Sequence, residues 1–69
     1  MTLDEYRREL GWSISELARQ AGIDFNTANR ALSGESISGR TAVSLANAIS
    51  KGMSRKVRYQ DIKELNVNL

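Results

Sequence analysis

The chain has no cysteine, no histidine and no proline among its 69 residues. Without cysteine there are neither disulfides nor thiolate metal ligands, and a chain without such bridges is expected in a reducing, cytoplasmic setting. Without histidine, the usual zinc sites and a histidine general base are excluded, so neither a metal nor a cofactor is expected. Without proline, and with no low-complexity stretch or solenoid-period repeat, nothing marks a linker. Residues 1–69 are therefore expected to form one domain. No glycine-rich phosphate loop occurs, and the chain offers no long apolar segment to hold a small-molecule substrate, so an enzyme is not expected. There is no run of about eighteen apolar residues, and the opening Thr2-Leu3-Asp4-Glu5 lacks the basic-then-apolar pattern of a signal peptide. A membrane partner is not expected either.

What is present is a modest core and an uneven charge distribution. A chain of 69 residues lies near the size at which one hydrophobic core still suffices without staples. The formal net charge of +2 is small. Its placement says more: Arg40, Lys51, Arg55, Lys56 and Arg58 follow one another between Glu35 and Asp61 with no acid among them. Such a run fits phosphate contact and a solvated surface alike.

Residues 14–33 carry the most specific pattern. Small or apolar residues fall where two helices must cross closely (Leu17, Ala18, Ala21, Ala28, Ala31), and Gly22 falls at the turn between them, where a left-handed backbone is cheap only for glycine. This is the pattern of a helix-turn-helix, whose second helix enters the major groove of DNA. At about 100° per residue, Phe25, Asn26, Asn29, Arg30 and Ser33 share one side of that second helix, opposite Ala28, Ala31 and Leu32. Asparagine is a poor helix former, so two of them on the outer face point to a side-chain role. Taken alone, the face also fits a solvated surface in any small bundle.

Five short helices are expected in all. Thr2 with Glu5 forms a capping box ahead of Leu3, Tyr6 and Leu10, and Gly11 closes the first helix. Ser13 with Glu16 repeats that signature for the second, and Asp24 caps the third, which ends at Ser33-Gly34. Ser38 caps a fourth helix running to about Ser50, with Ala42, Leu45, Ala46 and Ile49 inward and Gly52 as its breaker. Ile62 and Leu65 suggest a fifth from about Tyr59. The core is read as Leu3, Tyr6, Leu10, Trp12, Leu17, Leu32, Leu45, Ile49 and Ile62. The tail Leu65–Leu69 alternates apolar and polar residues, which fits either a frayed end or a strand added across a two-fold axis, burying Val67 and Leu69 on a second copy.

The helix order, Leu17-Ala18, Gly22, the exit Leu32-Ser33-Gly34 and the later Leu45-Ala46-Asn47-Ala48-Ile49 together resemble the lambda-repressor-like DNA-binding domains of the Xre/Cro family. The resemblance implies an all-α, compact bundle with a central helix-turn-helix, and a recognition helix from Phe25 to Leu32. It implies a double-stranded DNA operator as partner, bound by a homodimer. It places Phe25, Asn26, Asn29 and Arg30 toward base edges, and Ser13, Thr27, Ser33, Ser38 and Arg40 near the DNA backbone. Two departures stand out. Family members often carry glutamine at the start of the second and third helices, where this chain has Ile14 and Phe25, and the stretch Ser50–Arg58 is longer and more basic than the usual turn.

The chemistry of each side chain suits those places. Arg30 can bond a guanine O6/N7 edge, Asn26 or Asn29 an adenine N6/N7 edge, and Phe25 can pack on a thymine methyl. The alternatives are a phosphate contact or a pair with Glu35 for Arg30, and packing on Ile23 or the loop for Phe25. Arg40 at the head of the fourth helix can approach a phosphate beside free backbone amides, or remain solvated. The expected function is a sequence-specific transcriptional regulator of repressor type. The alternative is an interaction module, such as an antitoxin or adaptor, that uses the same helices to hold a protein.

Overall fold

The computed structural model describes residues 1–68. Four helices form, α1 (Leu3–Glu9), α2 (Ile14–Ala21), α3 (Phe25–Leu32) and α4 (Gly39–Met53), followed by a 3-10 turn at Tyr59–Asp61. Two short strands, β1 (Ile37–Ser38) and β2 (Val67–Asn68), pair in parallel with Ile37 opposite Val67 and Ser38 opposite Asn68. No helix among the described residues is long and apolar enough to cross a membrane.

Local signals start each helix where expected. At α1 the capping box closes in both directions: the Glu5 amide donates to Thr2 Oγ1 at 3.2 Å and the Thr2 amide to Glu5 Oε1 at 2.7 Å. At α2 only half of the box forms. The Glu16 amide donates to Ser13 Oγ at 3.0 Å, while the Glu16 carboxylate turns instead to Arg19 and Gln20. Asp24 caps α3 by accepting from the Thr27 amide at 2.9 Å, and Ser38 caps α4 by accepting from the Thr41 amide at 3.2 Å.

Helix α4 is the central post. Its Ala42, Leu45, Ala46 and Ile49 are buried and meet Leu3, Tyr6, Leu17 and Ala31 from the earlier helices and Ile37, Val57 and Ile62 from the later segments. Leu10, Trp12 and Leu32, expected in the core, are only partly buried at its edge. Ile37 and Val57, which the expected core leaves out, are 5% and 2% exposed.

Three expectations are corrected. Gly52 does not break α4, which continues to Met53 and is ended by Ser54 in the left-handed conformation at φ 57°. The glycine has another use: a Cβ there would lie 2.9 Å from the Trp12 ring and 2.8 Å from Leu10 Cδ2, so its bareness lets Trp12 close on the helix. The fifth helix is reduced to the 3-10 turn at Tyr59–Asp61, closed by the Asp61 amide on the Arg58 carbonyl and the Ile62 amide on the Tyr59 carbonyl, because Ile62 leaves the helical region. Finally, the tail is not frayed at Val67, which joins a strand with Ile37 of its own chain and packs half-buried against the core. The expectation for Leu69 lies outside the described residues.

Candidate nucleic-acid interface

Helices α2 and α3 meet through small side chains. Leu17 and Ala28 are fully buried and Ala18 and Ala31 nearly so, which lets the two backbones approach. Between them Gly22 takes φ 70°, and the Ile23 amide reaches back to the Ala18 carbonyl at 3.0 Å. That bond stops α2 and turns the half-buried Ile23 inward. Asp24 then starts α3 two residues after the glycine. The bend is thus set by one conformation, one backbone bond and one cap.

With the inner face of α3 taken up by Ala28, Ala31 and Leu32, its other side is open. Asn26, Asn29, Arg30 and Ser33 are exposed, and Phe25 is 49% exposed instead of tucked against Ile23. Among the described residues the side chains of Asn26, Asn29 and Arg30 make no hydrogen bond or ion pair. In particular, Arg30 does not pair with Glu35; the link between those residues is the Glu35 amide on the Arg30 carbonyl at 3.0 Å. A guanidinium and two amides held on one rigid face without internal partners offer about nine N–H donors, and each amide adds a carbonyl acceptor.

The residues expected near a DNA backbone divide by the state of their hydroxyls. Ser33 Oγ donates to the Asn29 carbonyl at 2.9 Å, and Ser38 Oγ to Thr41 Oγ1 at 3.1 Å, so both donors are engaged within the fold. Ser13 Oγ only accepts, from the Glu16 amide, which leaves its proton for an anionic oxygen. Thr27 is half-buried on α3. Arg40 is exposed in the first turn of α4, where helix amides have no intrahelical acceptor, and no ion pair holds it among the described residues.

Sequence reasoning missed how the loop from α3 to α4 is held. Gly34 leaves α3 at φ 83°, and the chain then pairs with the tail: the Ile37 amide donates to the Asn66 carbonyl at 2.9 Å and Asn66 Nδ2 to the Gly34 carbonyl at 3.4 Å. The alternation of Val67 was a visible strand signal. Its partner Ile37, far away in sequence, was not.

A family model described as helix-turn-helix matches residues 3–55. The chain belongs to the lambda-repressor-like (Xre) helix-turn-helix family. It therefore carries a DNA-binding helix-turn-helix domain of a kind that is not enzymatic and that binds double-stranded DNA. No curated protein and no solved structure matches the chain significantly.

Within this family fold, two acidic groups beside the interface, Asp24 and Glu16, are tied down. Bonds from Thr27, with a smaller contribution from the Arg30 charge, hold the Asp24 carboxyl below its ordinary value. Glu16 is likewise held low by its bonds with Arg19 and then Gln20, and the same pairing raises Arg19. Both carboxylates stay ionised at neutral pH, Asp24 holding the start of α3 and Glu16 bridging Arg19 and Gln20 within α2. The basic stretch lies elsewhere. Lys51 lies in the last turn of α4 and Arg55, Lys56 and Arg58 follow its C-terminal end; the fifteen residues of the helix put about 22 Å between its two ends. There the Arg55 guanidinium stands over the Tyr6 ring at 5.9 Å and Arg58 Nε lies 3.8 Å from Asp61 Oδ2.

Proposed function

We propose that this domain is a sequence-specific transcriptional regulator of repressor type that lays α3 in the major groove of an operator. It comprises residues 1–69 as one unit, acts in the cytoplasm and binds as a homodimer on a two-fold symmetric site. The observation that carries the reading is the outer face of α3, where Asn26, Asn29 and Arg30 are exposed and uncommitted. A merely solvated helix face needs no amides at such cost in helix propensity. Phe25, Asn26, Asn29 and Arg30 read base edges; Ser13 and Arg40 donate to phosphates, and Thr27, Ser33 and Ser38 shape the surface beside the DNA backbone. Two α3 helices related by a dyad would meet successive major-groove faces about 34 Å apart.

The test separates reading from clamping. Selection of bound sequences from a random pool defines the preferred site, and binding is then measured against salt on that site and on mixed duplex. Arg30→Ala is expected to cost about 1–3 kcal/mol on the preferred site and to relax discrimination at one base pair. Arg40→Ala should weaken all duplexes alike and lower the log-log salt slope by about one unit for each phosphate left without its cation. Tight capture of a protein by a chain without salt-dependent duplex affinity would instead establish the interaction-module reading.

A further inference from the structure

The tail beyond the family match is bound to the loop that joins the recognition helix to α4. The matched segment ends at residue 55, and everything from Lys56 onward is additional to it. This addition returns across the molecule and is anchored twice. Near Lys63 its amide donates to the Met1 carbonyl at 2.9 Å, and Thr2 and Lys63 form an isolated parallel bridge. Near its end, Asn66 bonds to Gly34 and Ile37, while Val67 and Asn68 lie in parallel register with Ile37 and Ser38. Between the anchors the chain bends at Glu64 (φ 62°) and spans an open cleft of about 300 Å³ that reaches Ala31–Gly34 at the end of α3.

We propose that residues 63–68 are a positioning strap for DNA binding: by pairing with Ile37–Ser38 they hold the α3–α4 loop, and with it the start of α4, in the geometry that meets the phosphate backbone. The inference rests on the DNA-binding reading above. Its physical basis is preorganisation. The loop from Ser33 to Ser38 has one buried side chain of its own, Ile37, and exposed residues on either side of it. A loop left free would have to lose its conformational entropy at the moment of binding, whereas a strapped one has lost it on folding. The strap ends at the residue that caps α4, Ser38, two positions before Arg40. A shift of the strand therefore moves the cap and the first turn of α4 together, without touching the outer face of α3.

The experiment uses the chain of residues 1–69 carrying Val67→Gly or Asn66→Ala, neither of which alters charge. Hydrogen exchange at the Ile37 amide reports the strap, thermal unfolding the fold, and titration of a mixed-sequence duplex at several salt concentrations reports binding. Measurements are made where every chain is folded. Val57→Ala serves as a control that lowers stability from a core position away from the loop. Val67→Gly should speed exchange at Ile37, weaken duplex binding about tenfold and lower the salt slope by about one unit per protomer. Asn66→Ala, which removes a single side-chain bond and leaves the core intact, should weaken binding about threefold in the same pattern. The control should lose thermal stability and keep its affinity and slope. If the wild-type chain binds duplex and either strap variant exchanges faster at Ile37 yet binds with wild-type affinity and slope, the strap has no positioning role. Losses in the strap variants that the control reproduces overturn it equally. A wild-type chain that shows no duplex affinity overturns the DNA-binding reading itself.

Discussion

Residues 14–33 and residues 54–68 are ordered in opposite ways. The first segment is built from two eight-residue helices whose starts, stop and bend lie in neighbouring residues: Ser13, Gly22 and Asp24 each act within four positions of the group they bond. The second has a single 3-10 turn and one short strand; short bonds shape its turns at Ser54–Arg55 and Arg58–Ile62, but what fixes it to the rest of the molecule lies outside the segment. Val57 is fastened to Ser50, whose Oγ accepts from the Val57 amide and lies 2.8 Å from the carbonyls of both Ala46 and Val57. Arg55 rests over Tyr6, Lys63 pairs with Thr2, and Val67 pairs with Ile37. The difference shows how a small domain combines a locally encoded binding unit with a tertiary frame that sets its surroundings.

The largest effect on that contrast is expected in the core the two regions share. Leu17 is fully buried where α2 meets α4. Leu17→Ala is expected to cost about 2–5 kcal/mol and to unfold both regions in one transition, observed by urea denaturation with circular dichroism and tryptophan fluorescence. Non-coincident curves would show that the helix-turn-helix stands without its frame.

Ser50→Ala should act on one region alone. It leaves the Val57 amide, on a residue 2% exposed, without its acceptor, and an expected loss of about 1–3 kcal/mol follows. Amide exchange should rise through residues 56–62 while α2 and α3 keep their protection. Equal loosening of α3 would show the two regions to be one cooperative unit.

Gly52→Ala tests whether local propensity or tertiary fit governs the far end of α4. Propensity alone predicts a gain of about 1 kcal/mol from alanine in a helix interior. The approach of the Trp12 ring to 2.9 Å from the new Cβ reverses the sign, and a net loss of about 1 kcal/mol is expected, with a change in Trp12 fluorescence as the ring is displaced.

The smallest effect concerns acid. Asp24, Glu16, Asp4 and Glu5 are all held below their ordinary values, Asp4 first by its bond from Arg7 and Glu5 first by the Thr2 amide. Groups depressed on folding stabilise the native state above the ordinary carboxylate range, near pH 4, and that contribution disappears as pH falls through their lowered folded values. Stability should be flat from neutrality to about pH 5 and decline below it. Asp24→Asn retains a capping oxygen without a titrating proton, so its stability curve should decline less steeply in that window. An identical acid slope would show that the Asp24 cap contributes nothing pH-dependent.

Periodicity and capping made the four helices, the Gly22 turn and the two faces of α3 legible, because each depends on residues within about one helical turn of one another. The same reasoning failed at Gly52, where a glycine placed for Trp12 looks locally like a stop. It failed again at Tyr59–Leu65, where apolar spacing resembled a helix although Ile62 is drawn into the core from an extended conformation. For the candidate interface, which side chains share the outer face of α3 was readable; whether Phe25 stands out, whether Arg30 is paired and which hydroxyls keep a free proton depended on neighbours that only the folded chain brings near.

The helix-turn-helix, its caps and its bend were thus written into the residues themselves, since they follow from bonds that close locally. Where α4 ends, what fills the gap left by Gly52, and the pairing of Val67 with Ile37 of its own chain were settled on folding. Those outcomes depend on long-range packing and backbone partners, and a strand of alternating residues carries no mark of which edge will satisfy its amides.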